Sequence, residues 1–447
     1  MNSFFSTFDK SSLSQWKDQI IQDLKGKEHS VLEFHDPIEE LDYKAYYHQD
    51  ETASKNEAPG NFPYTRGLKT SDNNWMNGAL IEITDESNAN KEALALLMKG
   101  ADLLVFKTKK TDCDWNKVLS EIKLEYIKAQ FDVPSIKHYT AIKEIVGNQL
   151  NTVSFNFDPM AIGLEIINEL IEASGSQQHP VLVVNGFGVQ QLGATSWQEI
   201  AFSINIGHEY LLKLMESGLS IDEASGMVHF HIGVGSNYFY EIAKFRALRQ
   251  LWSKVIDAYN PEHSCTYNCN ITAVIGHTNK SLRDPHTNLL RQTTETMSAS
   301  NGADSILVLP YDLYSISGAS ELSKRMALNI SLILKEESYL DKVIDPAGGS
   351  YSVEALTKLI GEKAWSYFQL IESNGGLFIE SGLDAFVNDI NLKRQERIEA
   401  FQAGKIIGIG MNKYHSPVLQ KTEWAKRSSY LGIEPISFDM ESKNSVV

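Results

Sequence analysis

Residues 227–259 read MVHFHIGVGSNYFYEIAKFRALRQLWSKVIDAY, and the spacing of the apolar residues changes partway along them. The opening run MVHFHI has the length and composition of a buried strand, and two glycines follow it closely. After the glycines, Ile242, Phe245 and Leu248 recur at three-residue spacing, which is typical of a helix. Pro261 then marks the end of that helix. The segment is therefore predicted to be a strand, a tight turn and a helix.

The same alternation repeats along the chain from about residue 75. Eight short apolar runs are predicted to be strands: Ala79–Thr84, Asp102–Thr108, Lys123–Ile127, Val153–Phe157, Pro180–Asn185, Met227–Ile232, Thr266–Ala273 and Ser305–Leu309. Strands that alternate with helices indicate a parallel sheet, and eight such units over roughly 250 residues match a (β/α)8 TIM barrel of the α/β class. A doubly wound sheet is the alternative fold, because short apolar runs are ambiguous.

The chain divides into an N-terminal arm and linker (1–60), the barrel (61–360) and a C-terminal helical extension (361–447). In the arm, Ser12 and Gln15 have the spacing of a capping box. Leu13, Trp16 and Ile20 then repeat at helical spacing. An isolated amphipathic helix must bury its apolar stripe on the barrel or on a partner.

The chain is acidic, with a net charge of −16 from 41 basic and 57 acidic residues in 447. This balance argues against nucleic acid or an anionic membrane surface as the partner. The three cysteines fit a reducing cytoplasm. The N-terminal residues do not have the pattern of a secretory signal, and no apolar run is long enough to span a membrane. A soluble, cytoplasmic protein is expected.

Two glycine pairs follow predicted strands, Gly186 with Gly188 and Gly233 with Gly235. Each resembles the opening of a dinucleotide-binding fingerprint. Both lack the third glycine, and neither has a convincing acidic residue about twenty positions later. Tight turns between strand and helix explain these glycines better.

Histidines and cysteines offer the other candidates for a metal site. His229 and His231 share one face of a predicted strand, and His277 follows another. No further ligand is predictable beside them, so hydrogen bonding in the barrel core is favoured over metal binding. Cys265 and Cys269 also share a face of a predicted strand without a third ligand, which favours buried structural cysteines. No metal is expected.

Several segments resemble the coenzyme-B12-dependent acyl-CoA mutases of the methylmalonyl-CoA mutase family. They are FPYTRG (62–67), QLGAT (191–195), YEIAKFR (240–246), DP (284–285), RMALN (325–329), IDPAGGSYSVE (344–354) and GIGMNKY (408–414). The segments fall in the family's order between residues 60 and 415. The resemblance implies a (β/α)8 barrel in which an acyl-CoA substrate threads the barrel axis.

Four positions depart from the family's catalytic pattern. Where catalytic members resemble SGYHMQEAGAT, this chain has Phe187 for the tyrosine and Gly188 for the histidine that contacts the substrate thioester. Where they resemble LRTHCQTSGWS, it has Asn270 for the arginine and Val274 for the glutamine. A glycine cannot donate a hydrogen bond to a thioester oxygen, and an amide cannot replace a guanidinium that binds a carboxylate. We expect these positions to mark a disabled pocket, with no catalytic residue in the chain.

Catalytic members also continue into a cobalamin domain with the motif Asp-x-His-x-x-Gly, which this sequence lacks. Residues 415–447, after the last matching segment, are too few for such a domain. The resemblance therefore implies that this chain binds no cofactor and that adenosylcobalamin belongs to the partner subunit.

The resemblance is closest to the small (beta) subunit of the heterodimeric members. It implies a structural or stabilising partner of a large catalytic subunit, inactive as an isolated chain, whose Phe4, Phe5 and helical arm help to bind that subunit. The alternative is an active acyl-CoA mutase barrel that uses a cobalamin domain on a separate chain, which explains the missing domain but not Gly188. A barrel with an unrelated ligand ranks third, because the sequence offers few convergent polar groups at the mouth.

Overall fold

The computed structural model describes residues 11–48, 57–175, 179–416 and 423–442. Eight parallel strands form a barrel, and a short antiparallel hairpin precedes it. The hairpin strands are β1 (Glu33–Asp36) and β2 (Leu41–Lys44). The barrel strands are β3 (Met76–Glu82), β4 (Leu103–Lys107), β5 (Lys128–Asp132), β6 (Val153–Phe155), β7 (Leu182–Asn185), β8 (Val228–Val234), β9 (Ile271–Ile275) and β10 (Ser305–Val308).

The strand order around the barrel is β6-β5-β4-β3-β10-β9-β8-β7. A parallel bridge between Phe157 and Leu182 joins the two ends of this sheet. The Phe157 N–H donates to the Val181 carbonyl at 3.2 Å, and the Val183 N–H donates to the Phe157 carbonyl at 2.9 Å. A doubly wound sheet has two free edges, so this closure confirms the predicted TIM barrel.

Helices follow the strands and cover the barrel. They are α1 (Leu13–Asp23), α2 (Glu86–Leu97), α3 (Trp115–Val118), α4 (Ile136–Val146), α5 (Pro159–Ile162), α6 (Glu165–Ser174), α7 (Gly186–Leu192), α8 (Ser196–Glu216), α9 (Ile221–Gly226), α10 (Tyr238–Asp257), α11 (Thr287–Ala299), α12 (Glu321–Leu332), α13 (Tyr351–Ser373), α14 (Glu380–Gln402) and α15 (Phe438–Glu441). Helix α13 crosses the predicted domain boundary at residue 360 and packs against α8 and α10, and α14 follows it. The division of the chain into arm, barrel and C-terminal helical extension stays a prediction.

The predicted strand at Lys123–Ile127 is wrong. Residues Leu124–Tyr126 form a 3₁₀ turn, and the strand β5 begins after it. The apolar pattern is misleading here because β5 carries a polar inward residue, Gln130, between Ala129 and Phe131, which face the surrounding helices. The predicted strand at Thr266–Ala273 also starts too early.

Cys265 and Cys269 do not share a strand. Cys265 lies in the 3₁₀ turn Ser264–Tyr267 and is exposed, whereas Cys269 is buried just before β9. The expectation of a buried cysteine therefore holds only for Cys269. Within the residues that the structure describes, no cluster of histidine, cysteine and acidic side chains could hold a metal ion.

Helix α10 carries charged side chains into the interior, and each one meets a partner there. Lys244 Nζ contacts Glu199 Oε2 at 2.7 Å, Glu241 Oε2 at 2.6 Å and the Gly233 carbonyl at 2.7 Å. Two residues further on, Arg246 donates to Asp345 and to Glu354. Burial of charge is tolerated only with such pairing.

The arm helix α1 begins with the predicted capping box. The Gln15 N–H donates to Ser12 Oγ at 3.2 Å, and the Ser12 N–H donates to Gln15 Oε1 at 2.8 Å. No residue of α1 is buried, although the Trp16 ring stacks on Tyr46 with ring centroids 4.3 Å apart. Phe4 and Phe5 lie outside the described residues.

A different part of the N-terminal region is firmly attached to the barrel. In the turn between β1 and β2, the Glu39 carboxylate accepts hydrogen bonds from the Ser196 N–H at 2.8 Å and from Arg397 Nη2 at 2.6 Å.

None of the helices in the described ranges is long and apolar enough to cross a membrane.

Candidate functional site

A hydrogen bond crosses the barrel axis. Gln130 on β5 and Thr272 on β9 belong to strands that lie four positions apart in a ring of eight, directly opposite each other. Gln130 Nε2 donates to Thr272 Oγ1 at 3.0 Å, and both side chains are buried. A substrate chain could pass along the axis only if this hydrogen bond were broken.

An apolar cluster fills the axis beside this bridge. Its buried members share the inward face of their strands or of the loop after β10: Leu103, Val105, Val274, Leu307, Leu309 and Leu313. The Phe187 and Tyr314 rings pack on the cluster from the C-terminal ends of the strands. Phe187 and Val274, two of the four predicted departures, thus both contribute to filling the barrel. The axial path that the family resemblance implies is occupied by side chains.

The third departure, Gly188, lies in the first turn of α7, directly after β7. Its N–H donates to Asn185 Oδ1 at 2.9 Å. A methyl group at this position would lie 2.8 Å from atoms Cδ1 and Cε1 of the Tyr430 ring. No side chain fits there while Tyr430 holds its place, because real carbon contacts are longer.

The fourth departure, Asn270, lies at the other end of the barrel. It directly precedes β9, and its carbonyl accepts a hydrogen bond from the Phe230 N–H at 2.9 Å. Gly188 follows the C-terminal end of β7, so the two positions are separated by the height of the barrel. The structure does not bring them together in one cluster.

A group of polar residues lies where the strands end, at the face that carries the active site in TIM-barrel enzymes. Lys107 Nζ pairs with Asp132 Oδ2 at 2.9 Å. Asn185 Nδ2 donates to Asp158 Oδ2 at 3.0 Å. Burial lowers the pKa of the His231 imidazole, and the nearby His229 and Lys107 act in the same direction. His231 Nε2 has no hydrogen-bond partner among the described residues.

No sequence motif points to this polar group. Lys107, Asp132, Asp158 and Asn185 each lie at or just after the end of a different strand, and His231 lies within β8 in register with Asn185. Their position was the available signal, because the ends of parallel strands converge at one face of a barrel. The expectation of a mouth with few polar groups was therefore wrong.

The other two histidines are held by backbone carbonyls. His229 Nε2 lies 2.9 Å from the Phe155 carbonyl, and His277 Nε2 lies 2.8 Å from the Pro310 carbonyl. Burial lowers the pKa of His229 to about 4 and that of His277 to about 3, so both are neutral near pH 7. Hydrogen bonding in the barrel core, the favoured prediction, is confirmed for both.

Asp158 should make the stability of the protein depend on pH. Burial raises its pKa to about 6, although the hydrogen bond from Asn185 opposes this. Between about pH 4 and pH 6 the folded state retains a proton that the unfolded chain has released. The contribution of Asp158 to the free energy of unfolding therefore falls as pH rises, by up to about 1.4 kcal/mol per pH unit.

This slope is measured as the difference in urea stability between the parent chain and Asp158→Asn at several pH values. We expect the parent's advantage to shrink from pH 4 to pH 6. The exposed Asp18→Asn is the control and should show no such trend. A pH-independent difference for Asp158→Asn would contradict the prediction.

Residues 423–442, which we term the strap, cross the mouth of the barrel. The Ala425 N–H donates to the Tyr314 carbonyl at 2.7 Å, after β10. The Ile436 N–H donates to the Gln191 carbonyl at 2.8 Å, in the last turn of α7. The Phe438 N–H donates to the Thr278 carbonyl at 2.9 Å, after β9. The strap thus binds the segments that follow three different strands.

Asp439 anchors the end of the strap. Its buried carboxylate accepts hydrogen bonds from Ser281 Oγ at 2.7 Å and Arg283 Nε at 3.0 Å, both in the loop after β9. It also accepts one from Trp424 Nε1 at 2.9 Å, which joins the two ends of the strap. Hydrogen bonds to an ionised group are stronger than those between neutral groups.

Comparison with known proteins gives consistent matches. The family model of methylmalonyl-CoA mutase matches residues 144–430. The methylmalonyl-CoA mutase small subunit of Porphyromonas gingivalis is 32% identical over 438 residues, which cover 92% of this chain and 71% of that protein. The large subunit from the same organism is 31% identical over 283 residues, which cover 58% of this chain and 36% of that protein. The methylmalonyl-CoA mutase of Rhizobium meliloti is 31% identical over 270 residues, with 57% and 36% covered.

Proposed function

The chain belongs to the methylmalonyl-CoA mutase family, and from this premise we propose that it is a small, non-catalytic subunit of a methylmalonyl-CoA mutase. In this proposal the chain binds and stabilises a large subunit. The large subunit holds adenosylcobalamin and isomerises methylmalonyl-CoA and succinyl-CoA, whereas this chain holds no cofactor. A relative that matches 92% of this chain is named a small subunit, and a large subunit is found in the same organism.

The observation that carries the proposal is the filled barrel axis. An acyl-CoA could reach the mouth along the axis only by displacing the Gln130–Thr272 hydrogen bond and the apolar cluster around Val274 and Leu307. Protein interiors are packed as densely as organic crystals, so such a cluster does not open without a large rearrangement. This favours a structural role over the alternative of an active barrel with a borrowed cobalamin domain.

The mouth supports the same conclusion. Stabilising a thioester in a reaction requires donors aimed at its oxygen. Gly188 has no side chain to donate, and the Tyr430 ring takes the space where a longer residue would project. Lys107, a cation at this face, is already paired with Asp132.

The arm supplies a surface for the large subunit. Helix α1 has an apolar stripe of Leu13, Trp16 and Ile20, yet no residue of the helix is buried against the barrel. Val31 and Phe34, which follow it, are 56% and 51% exposed. Clustered exposed apolar side chains mark protein interaction sites, and tryptophan is enriched among the residues that dominate binding energy. We assign this surface to the large subunit.

Replacing Trp16 with glutamate should weaken binding of the large subunit at least tenfold, because a charge then enters an apolar contact. Stability of the isolated chain should fall only by the loss of the Trp16–Tyr46 stack, since α1 has no buried residue. Gln22→Glu is the matched control, as it adds the same charge to an exposed position of the helix. Dissociation constants from titration calorimetry test this, and equal affinities for the two variants would remove α1 from the interface.

The function is tested by producing the chain with the large mutase subunit of the same organism and assaying each chain and the mixture. We expect a one-to-one complex, with isomerase activity that requires the large subunit. The isolated chain should stay inactive when adenosylcobalamin is added. Activity of this chain with a separate cobalamin-binding protein would overturn the proposal and support the split enzyme.

A further inference from the structure

We propose that the strap is a built-in occupant of the barrel mouth, and that its Tyr430 ring closes the pocket a ligand would enter. This goes beyond the subunit role, because it explains what closes the mouth whether or not a large subunit is bound. It also names one segment, residues 423–442, as the cause. The pocket can admit an acyl thioester from the mouth side only after the strap has left.

The strap is attached to the segments that follow three strands. Its backbone N–H groups donate to carbonyls after β10, β7 and β9, at Tyr314, Gln191 and Thr278. β10 and β9 are neighbours and β7 follows after β8, so the three attachment points span one half of the ring of eight strands. A segment attached at all three points covers the part of the barrel mouth that lies between them.

Tyr430 lies over the segment that follows β7. It lies in a tight turn in which Tyr430 and Ile433 each donate an N–H to the other's carbonyl at 2.9 Å. The ring covers Gly188 after β7, and its buried hydroxyl lies beside the Asp158 carboxyl after β6. With the backbone contacts, the strap therefore reaches the ends of four strands.

The Tyr430 ring of the strap fits against position 188 only because that residue is a glycine. An alanine at position 188 would already have its methyl group 2.8 Å from the Tyr430 ring. The glycine and the tyrosine are therefore compatible with each other, and a side chain at position 188 is compatible only with an absent or displaced ring. The absence of a side chain at position 188 is therefore what allows the Tyr430 ring to lie over the end of β7.

The test is the reactivity of a thiol placed at position 187, next to the Gly188 that the Tyr430 ring covers. The full-length chain would carry Phe187→Cys, with Cys113→Ser and Cys265→Ser to remove the more accessible native thiols. The probe is 5,5′-dithiobis(2-nitrobenzoate). Strap release is produced by Asp439→Ala, which removes the anchor carboxylate, and Glu434→Ala at an exposed strap position is the matched control.

We expect the thiol to react at least ten times faster in Asp439→Ala than in the parent or in Glu434→Ala. Hydrogen exchange at the Ile436 and Phe438 amides would show that the strap has left. A thiol that reacts fast in the parent would overturn the proposal, as would one that stays slow when those amides exchange freely. If Asp439→Ala does not fold or keeps its strap docked, Tyr430→Ala replaces it, and a thiol that then reacts as slowly as in the parent would overturn the proposal.

Discussion

Lys244→Met is expected to lower the free energy of unfolding by about 3–5 kcal/mol, among the largest effects of a single substitution in this protein. The Lys244 ammonium is 1% exposed and lies within 2.7 Å of oxygens from both Glu199 and Glu241. Methionine fills most of the volume but leaves two buried carboxylates without a cation. Removing one partner of a buried ion pair costs far more than the pair contributes, because the remaining charge stays desolvated.

The pH dependence of this loss has a definite sign. Burial already raises the pKa of Glu199 to about 7 while Lys244 is present, and losing the cation must raise it further. The folded variant can therefore relieve its excess charge by binding protons that the unfolded chain does not hold. The deficit of Lys244→Met should be largest near pH 8 and smaller near pH 5.

Guanidinium unfolding at the two pH values measures both effects. Lys254→Met, at an exposed position of the same helix, is the matched control and should change stability by less than about 0.5 kcal/mol. A loss of less than about 1 kcal/mol for Lys244→Met would mean that the two carboxylates find other partners or water.

Arg246→Met is expected to have an effect of similar size, about 3–5 kcal/mol, at a separate site on α10. Arg246 is buried and donates to Asp345, to Glu354 Oε1 at 2.6 Å and to Thr357 Oγ1 at 3.2 Å. Without it, the buried Asp345 carboxylate keeps only the bond from Arg66 Nε at 2.9 Å. That carboxylate would then be only partly neutralised.

Loss of the Arg246 side chain should also loosen segments that are distant in sequence. Asp345 binds both Arg66 and Arg246 and thereby holds the loop before α13. Hydrogen exchange should increase around residues 64–67 and 345–350 in Arg246→Met. The control is Arg325→Met, which removes an exposed arginine from α12. Unchanged exchange around residues 64–67 would show that Arg66 is held by other contacts.

The fold could be predicted because most barrel strands are apolar on both faces and read as continuous runs. The strand that failed is β5, where Gln130 faces inward to reach Thr272 and therefore interrupts the run. An isolated sequence cannot reveal that a glutamine has a partner on the opposite side of a barrel. Local signals such as the Ser12 capping box succeeded, because both partners lie three residues apart.

The candidate site was predicted in part. Gly188, Phe187 and Val274 were identified as departures from a family pattern, and the structure places all three in or at the filled barrel. The strap was not predicted, because residues 423–442 have no periodic pattern. Its anchor joins Asp439 to Ser281, 158 residues away in sequence. A contact over that separation leaves no trace in spacing or composition.

The hydrogen bond across the barrel axis has an evolutionary consequence. A barrel whose substrate threads the axis, as the family resemblance implies, must keep a channel open there, and such a channel costs stability. In the proposed non-catalytic subunit, a barrel bridged by Gln130 and Thr272 would be free of that constraint. Selection on its interior then acts on packing alone, so substitutions along the axis should be tolerated according to volume and polarity rather than chemistry. Among descendants of this chain, the axial positions should drift as an ordinary hydrophobic core does.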